Sequence, residues 1–150
     1  METVTMGDTG KLVLLVEDEP TLAALLKKAL VRGGFDVVSA ANGRDAIELF
    51  GIRRPDIVLS DVRLPDLDGH EFLSEIRLQF PELTWTPVIM MTAFHDERTR
   101  VRALELRADG FLEKPIDHVI LIATLKNRIE RAAELRRTAR LALEARGPLS

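Results

Sequence analysis

Three carboxylates, one hydroxyl and one ammonium group each follow directly after a short apolar run of this chain. Glu17 and Asp18 follow the first run, Asp61 follows a later one, Thr92 follows a third, and Lys114 follows the last. Runs of this length are typical of buried strands, and the carboxyl ends of parallel strands meet at one edge of a sheet. We therefore expect these five side chains to share one shallow pocket.

The chemistry of such a pocket follows from its charges. Carboxylates about 4–5 Å apart repel one another by a few kcal/mol at an effective dielectric constant near 20, so the cluster persists if a cation occupies it. Oxygen ligands with room for water suit Mg2+ better than Zn2+. Asp61 is then a candidate nucleophile that forms an aspartyl phosphate, with Lys114 and Thr92 contacting phosphoryl oxygens.

Each of these residues also has an ordinary structural explanation. The acids at Glu17 and Asp18 are consistent with a helix N-terminal cluster favoured by the helix dipole. Asp61 and Thr92 are both common in turns, and Lys114 would by default be a solvated surface residue. Only their joint placement at strand ends favours the chemical interpretation.

The elements that must position these groups alternate along the chain. Strands are predicted at residues 12–16, 35–39, 56–60, 88–91 and 110–113. Helices are predicted between Pro20 and Gly33, Asn42 and Gly51, Gly69 and Pro81, Asp96 and Arg107, and from Asp117 to about Arg146. This alternation predicts an α/β fold, a doubly wound parallel sheet of five strands with helices on both faces and right-handed crossovers.

The composition limits the class of protein. Of 150 residues, 46% are hydrophobic and 30% charged, the net charge is -3, and there is no cysteine. Disulfides, thiolate metal sites and a cysteine nucleophile are therefore excluded, and no overall charge attracts nucleic acid or membranes. Residues 1–10 are expected to be a flexible lead-in and not a secretory signal, and no apolar run approaches the ~20 residues that span a bilayer. We expect a cytoplasmic protein.

Four motifs carry a family resemblance. They are Leu14-Leu15-Val16-Glu17-Asp18-Glu19, Asp56-Ile57-Val58-Leu59-Ser60-Asp61 with Leu64-Pro65-Asp66-Leu67-Asp68-Gly69, Pro87-Val88-Ile89-Met90-Met91-Thr92-Ala93, and Phe111-Leu112-Glu113-Lys114-Pro115. In this order and spacing, from about Lys11 to Asn127, the chain resembles the receiver domain of two-component response regulators. We divide it into the lead-in (1–10), a receiver domain (11–127), and a C-terminal helix extension and tail (128–150).

The resemblance implies a flavodoxin-like strand order of 2-1-3-4-5 and a phosphorylation switch. Asp61 would take a phosphoryl group from a sensor histidine kinase or phosphotransfer protein. Mg2+ would be bound directly by Asp18, Asp61 and the backbone carbonyl of Arg63, and through water by Glu17. Thr92 and Phe111 would be the switch pair, Lys114-Pro115 would be cis, and the face formed by the fourth helix, fifth strand and fifth helix would change to control an output protein or domain.

Four positions depart from the family pattern. Glu17 in place of Asp is a mild variation. Arg107 stands where glycine is usual, and if that site is left-handed the arginine costs about 1 kcal/mol. Arg63 and Phe94 are bulky at positions that flank the path of an attacking water, so we hypothesise that they make the acyl phosphate long-lived. His70, His95 and His118 do not form a ligand spacing.

The last helix is longer than a receiver domain needs, because about a dozen residues suffice to cover the sheet. Segment 126–140 is rich in arginine, and its pattern favours an exposed helix with a solvated charged face over nucleic-acid binding. We expect no nucleic-acid or membrane partner. The helix is a candidate for a dimer stalk, a docking edge or a linker to an output domain, and a homodimer through this helix or the switching face is one option.

Two other functions remain open at this point. The chain could be a receiver fold that mainly dimerises without switching. It could also be a metal-dependent phosphatase, but this is disfavoured because position 63 is Arg and leaves no general acid for a leaving group. We expect a signalling domain with self-catalysed phosphoryl transfer and not an enzyme.

Overall fold

The computed structural model describes residues 3–93, 98, 101, 104, 105 and 107–147. Within these ranges the continuous elements are β1 (Leu12–Val16), α1 (Pro20–Arg32), β2 (Asp36–Ala40), α2 (Gly43–Arg53), β3 (Ile57–Asp61), α3 (Gly69–Gln79), a 3-10 turn (Pro81–Leu83), β4 (Val88–Thr92), β5 (Gly110–Glu113) and α4 (His118–Ala145). Most of the helix predicted between Asp96 and Arg107 lies outside the described residues. Positions 98, 101, 104 and 105 of this segment are described, and they are helical.

The strands form one five-stranded parallel sheet in the order β2-β1-β3-β4-β5. The predicted α/β fold and its flavodoxin-like strand order are therefore confirmed. Because every strand runs the same way, the residues that end β1, β3, β4 and β5 lie along one edge.

Side chains along each central strand alternate between two cores. In β1, Leu14 and Val16 face the core formed with α2 and α3, whereas Val13 and Leu15 face the core that contains α1 and α4 side chains. All four are fully buried. Burial on both faces explains why these strands read as unbroken apolar runs.

The first turn of each continuous helix is fixed by a side chain that accepts hydrogen bonds from backbone N–H groups. Glu19 accepts from Thr21 and Leu22 at the start of α1, and Pro20 occupies its first turn. Asn42, Asp68 and Asp117 do the same for α2, α3 and α4. These caps hold the loops at the carboxyl edge of the sheet in fixed conformations.

Arg107, which stands where the family usually has glycine, adopts a left-handed backbone conformation. Arg107 has a φ of 57°, and Arg54, which ends α2, has a φ of 47°. L-residues are disfavoured in this region because Cβ crowds the following carbonyl. The Lys114-Pro115 peptide bond is cis, as expected.

The lead-in differs from the flexible segment that the sequence predicts. Thr5 pairs with Val37 in an antiparallel bridge, and the Gly7 N–H donates to Asp36 Oδ1 at 2.6 Å. Thr9 donates to the Gly34 carbonyl through both its backbone N–H and its hydroxyl. The segment lies along the edge of β2 because that outer strand offers hydrogen-bonding groups with no partner strand on one side.

Helix α4 is long, as predicted, but only its first half is packed. Leu121 and Leu125 are fully buried, and Ile122 and Ile129 are partly buried against the same core. Leu135 is 53% exposed, so the second half projects along the surface. No helix in the described ranges is both long enough and apolar enough to cross a membrane.

Candidate functional site

A cleft of about 490 Å3 opens at the carboxyl edge of the sheet. It is lined by Glu17, Asp18, Glu19, Asp61, Val62, Arg63, Met91, Thr92, Ala93 and Lys114. The structure thus brings together every predicted site residue except Phe111, although the chain supplies them from four separate strand ends.

Asp61 lies at the centre of the cleft. It is the last residue of β3, one residue later than the predicted strand end, and its partner in β4 is Met91. β3 pairs with β1 as far as Ser60 and with β4 through Asp61 itself, so the strand that carries Asp61 is held between two neighbours. The residue is 5% exposed, so its carboxylate is reached only through the cleft.

Lys114 joins the two buried acids. Its Nζ lies 2.5 Å from Asp61 Oδ1 and 3.5 Å from Glu17 Oε2. The Lys114 backbone N–H donates to the Thr92 carbonyl at 2.8 Å, which holds the ends of β4 and β5 together. Burial acts to lower the pKa of Lys114, but the hydrogen bond and charge of Asp61, with the charge of Glu17, raise it above its usual value. The ammonium group is therefore a permanent positive charge beside Asp61.

Glu17 is the most perturbed acid of the site. Burial, followed by the hydrogen bond and the negative charge of Asp61, raises the pKa of Glu17 to about 8. The charge of Lys114 and the Glu19 N–H, which donates to Glu17 Oε1 at 3.3 Å, act in the opposite direction. Two carboxyl groups that share one small buried volume avoid a second negative charge by keeping a proton.

The acids also have the geometry of a cation site. Glu17, Asp18 and Asp61 each offer an oxygen, and these oxygens lie within 4.8 Å of one another. Asp18 is exposed while the other two are buried, so one side of the group is open to water. An all-oxygen set that leaves room for water fits Mg2+. In the described part of the chain, no histidine joins a group with metal-binding geometry.

The two predicted switch residues lie in different places. Thr92 ends β4, lines the cleft and is 7% exposed. Phe111, in β5 opposite Met90, is partly buried against the core on the α2 and α3 side. Their movement remains a prediction. Phe94 and His95 lie outside the described residues.

The loop between β3 and α3 contains a positioning residue that the sequence reasoning missed. Asp66 accepts the backbone N–H groups of Gly43 and Arg44, at 2.8 and 3.0 Å, and so fixes the loop to the start of α2. Slight burial acts to raise the pKa of Asp66, but these N–H donors outweigh it and lower the pKa. Arg63, in the same loop, pairs with Asp68 in an antiparallel bridge. Nothing in the local sequence signals the contact of Asp66 with a helix 22 residues away.

Comparison with known proteins gives a consistent result. Residues 13–126 match the family model of the response regulator receiver domain. The transcriptional regulatory protein TrcR of Mycobacterium tuberculosis is 39% identical over 131 residues, which are 87% of this chain and 50% of TrcR. The chain thus spans half the length of this curated relative.

Solved structures agree in fold. The signal receiver domain of a signal transduction histidine kinase from Syntrophus aciditrophicus is 37% identical, with a TM-score of 0.75 over 81% of this chain and 91% of that one. The receiver domain of a sensor histidine kinase from Pseudomonas aeruginosa PAO1, solved with a magnesium ion coordinated in its active-site cleft, is 32% identical, with a TM-score of 0.75 over 81% and 99% of the two chains. With the acidic cleft at the sheet edge and a family match over most of its length, this chain belongs to the response regulator receiver domains of two-component signalling.

Proposed function

We propose that Asp61 accepts a phosphoryl group from a sensor histidine kinase or phosphotransfer protein in a Mg2+-dependent reaction. The observation that carries this proposal is the position of the Asp61 carboxylate, which lies against Lys114 and beside Glu17 and Asp18 in an open cleft. A carboxylate held between a fixed cation and a cation-binding group of acids is suited to attack a phosphorus atom.

The transfer balances as a single displacement. An oxygen of Asp61 forms a bond to phosphorus while the phosphorus–nitrogen bond of a donor phosphohistidine breaks, and the leaving imidazole nitrogen keeps the electron pair. Lys114 then contacts a phosphoryl oxygen in place of Asp61 Oδ1, and the hydroxyl of Thr92 is within the same cleft to donate to another. The chain itself therefore supplies the nucleophile and two contacts to the transferred group.

The donor set fits a magnesium ion. Asp18, Asp61 and the backbone carbonyl of Arg63 would hold it directly, and Glu17 would hold it through water. When bound, such an ion neutralises the charge that develops on the transferring group.

The output would be a change on the surface that includes β5 and the start of α4. Thr92 and Lys114 are joined through their backbones, so an altered Thr92 acts directly on the end of β5, which also contains Phe111. We infer that Thr92 and Phe111 move together and alter this face, and that a downstream protein or output domain recognises it. A homodimer through this face or α4 is one form of such recognition.

The decisive experiment is phosphorylation by a small phosphodonor. Incubation with acetyl phosphate and Mg2+ should add one phosphoryl group, measured by intact mass. Asp61→Asn and chelation of the metal should each abolish the addition. Asp45→Asn, which removes an exposed acid on α2 outside the cleft, is the matched control and should label normally. Equal labelling of Asp61→Asn and the wild type would rule out Asp61 as the acceptor.

A further inference from the structure

A second cleft lies at the opposite edge of the sheet from Asp61. Lys11 precedes β1, Asp56 precedes β3 and Pro87 precedes β4, and all three line this cleft of about 540 Å3. Helix α4 forms its other wall. An adjoining cleft of about 280 Å3 shares Trp85 and Pro87 with it. Together we call them the amino-edge groove.

Cations converge on the amino-edge groove from several segments of the chain. Its lining includes Lys11, Arg54, Arg128, Arg131, Arg136, Arg137 and Arg140. The acids of the lining are already engaged. Asp56 accepts the Leu12 N–H at 2.7 Å, Glu82 lies 3.4 Å from Arg54, and Asp109 accepts the Val88 N–H at 2.7 Å. Because the lining has seven cations and three acids, the groove carries a net positive charge in a protein whose net charge is -3.

The arginines of α4 form the long side of the groove. Arg136, Arg137 and Arg140 are exposed, and all three line the larger of the two clefts. None of these three guanidinium groups forms an ion pair with another residue in the described part of the chain. From Arg128 to Arg140 the helix rises about 18 Å, so the positive charge is spread along α4 over both clefts and is not confined to one point.

An aromatic side chain lies where the two clefts adjoin. Trp85 is 37% exposed and lines both clefts of the groove. A half-open indole between arginines offers a flat surface on which a nucleobase can stack, while the arginines contact phosphates. An acidic peptide would use the charges but not the stacking surface.

We propose that the amino-edge groove binds single-stranded nucleic acid. A mononucleotide would leave most of the row of cations without a phosphate, and the bases of a duplex are paired and stacked internally, so neither uses both features. The sequence alone favours a solvated helix face, because it does not reveal that Lys11, Arg54 and Trp85 lie across from the arginines of α4. This site is separate from Asp61 and does not rest on the proposed phosphorylation.

The intrinsic fluorescence of the protein provides a specific assay. Trp85 is the single tryptophan and the chain has no tyrosine, so emission reports on this groove alone. Titration with a single-stranded oligonucleotide of about twelve residues should change the emission saturably. The affinity should fall as salt rises, with a log–log slope of about -0.7 for each phosphate contacted.

Variants of matched charge test the location of the site, with binding measured by the anisotropy of a labelled strand. A triple variant that combines Arg136→Gln, Arg137→Gln and Arg140→Gln should weaken binding at least about tenfold. It should also reduce the steepness of the log–log dependence of affinity on salt by about 2. Trp85→Leu should weaken it at least about fivefold. The control triple variant Lys27→Gln, Lys28→Gln and Arg32→Gln removes the same charge from α1, outside the groove, and should bind within about twofold of the wild type, because the Debye length at 0.15 M salt is about 8 Å.

Several results would overturn the proposal. A duplex, inorganic tripolyphosphate or a polyglutamate peptide of equal charge that binds as tightly as the single strand would show general anion binding. Equal losses in the two triple variants would show attraction without a site. All variants change exposed or half-exposed side chains, so circular dichroism should show an unaltered fold in each.

Discussion

Magnesium binding to this protein should depend steeply on pH, because Glu17 holds a proton in the metal-free site. Burial, followed by the hydrogen bond and the charge of Asp61, raises the pKa of Glu17 to about 8. A carboxyl group must be ionised to serve a cation, either directly or through an ordered water. Binding of Mg2+ should therefore expel one proton, and the affinity should rise with pH.

The size of the effect follows from that pKa. Below a pKa of about 8, a one-proton competition lowers the apparent affinity about tenfold for each pH unit, and above it the affinity levels off. Between pH 9 and pH 6 the dissociation constant for Mg2+ should therefore rise close to ~100-fold. Lys114 does not contribute to this change, because its raised pKa keeps it charged throughout the range.

Isothermal titration calorimetry measures both the affinity for Mg2+ and the number of protons released on binding. Titrations in two buffers of different ionisation enthalpy should show nearly one proton released per Mg2+ at pH 7. Glu17→Gln keeps the size of the side chain but removes the titrating group, so it should bind more weakly and release almost no proton. If the wild type released no proton at pH 7, or if Glu17→Gln kept the same pH slope, Glu17 would not be the protonated group.

Three further predictions concern stability and lifetime. Arg107→Gly removes the steric cost of a side chain at a backbone φ of 57°. It should raise the melting temperature by about 2–4 °C in a thermal scan, which corresponds to a gain of about 1 kcal/mol in the free energy of unfolding. Leu125→Ala empties a fully buried site and should cost about 2–5 kcal/mol in urea unfolding, whereas truncation after residue 133, where α4 is exposed, should change the free energy of unfolding by less than ~0.5 kcal/mol. Arg63→Ala should shorten the lifetime of phosphorylated Asp61 several-fold, because the exposed Arg63 side chain lines the cleft through which a hydrolytic water enters. The lifetime is followed by intact mass after removal of the phosphodonor. An unchanged lifetime would refute the shielding role of Arg63.

The fold could be predicted from the sequence because local signals and the global arrangement agree. The runs at 12–16 and 88–91 are apolar on both faces, and capping residues such as Asn42 mark helix starts. Sequence patterns fail where tertiary contacts decide whether a residue is buried or paired. Leu25 has the spacing of the buried face of α1 but is 52% exposed, since it lies at the rim of a groove between α1 and α4. The lead-in has no strand pattern, yet it pairs with β2.

The two edges of the sheet differ in how well their sites can be predicted from the sequence. At the carboxyl edge, each functional residue ends its strand or lies within two residues of the strand end, so the parallel order of the strands in the sheet is enough to bring Asp18, Asp61 and Lys114 together. At the amino edge, the groove takes residues from the position before β1, the end of α2, the segment before β4 and the second half of α4. No periodicity relates Trp85 to Arg137, because their proximity depends on the direction in which α4 leaves the domain. Sequence patterns therefore reveal sites built from strand ends, whereas sites built from the sides of distant elements become visible only in the folded chain.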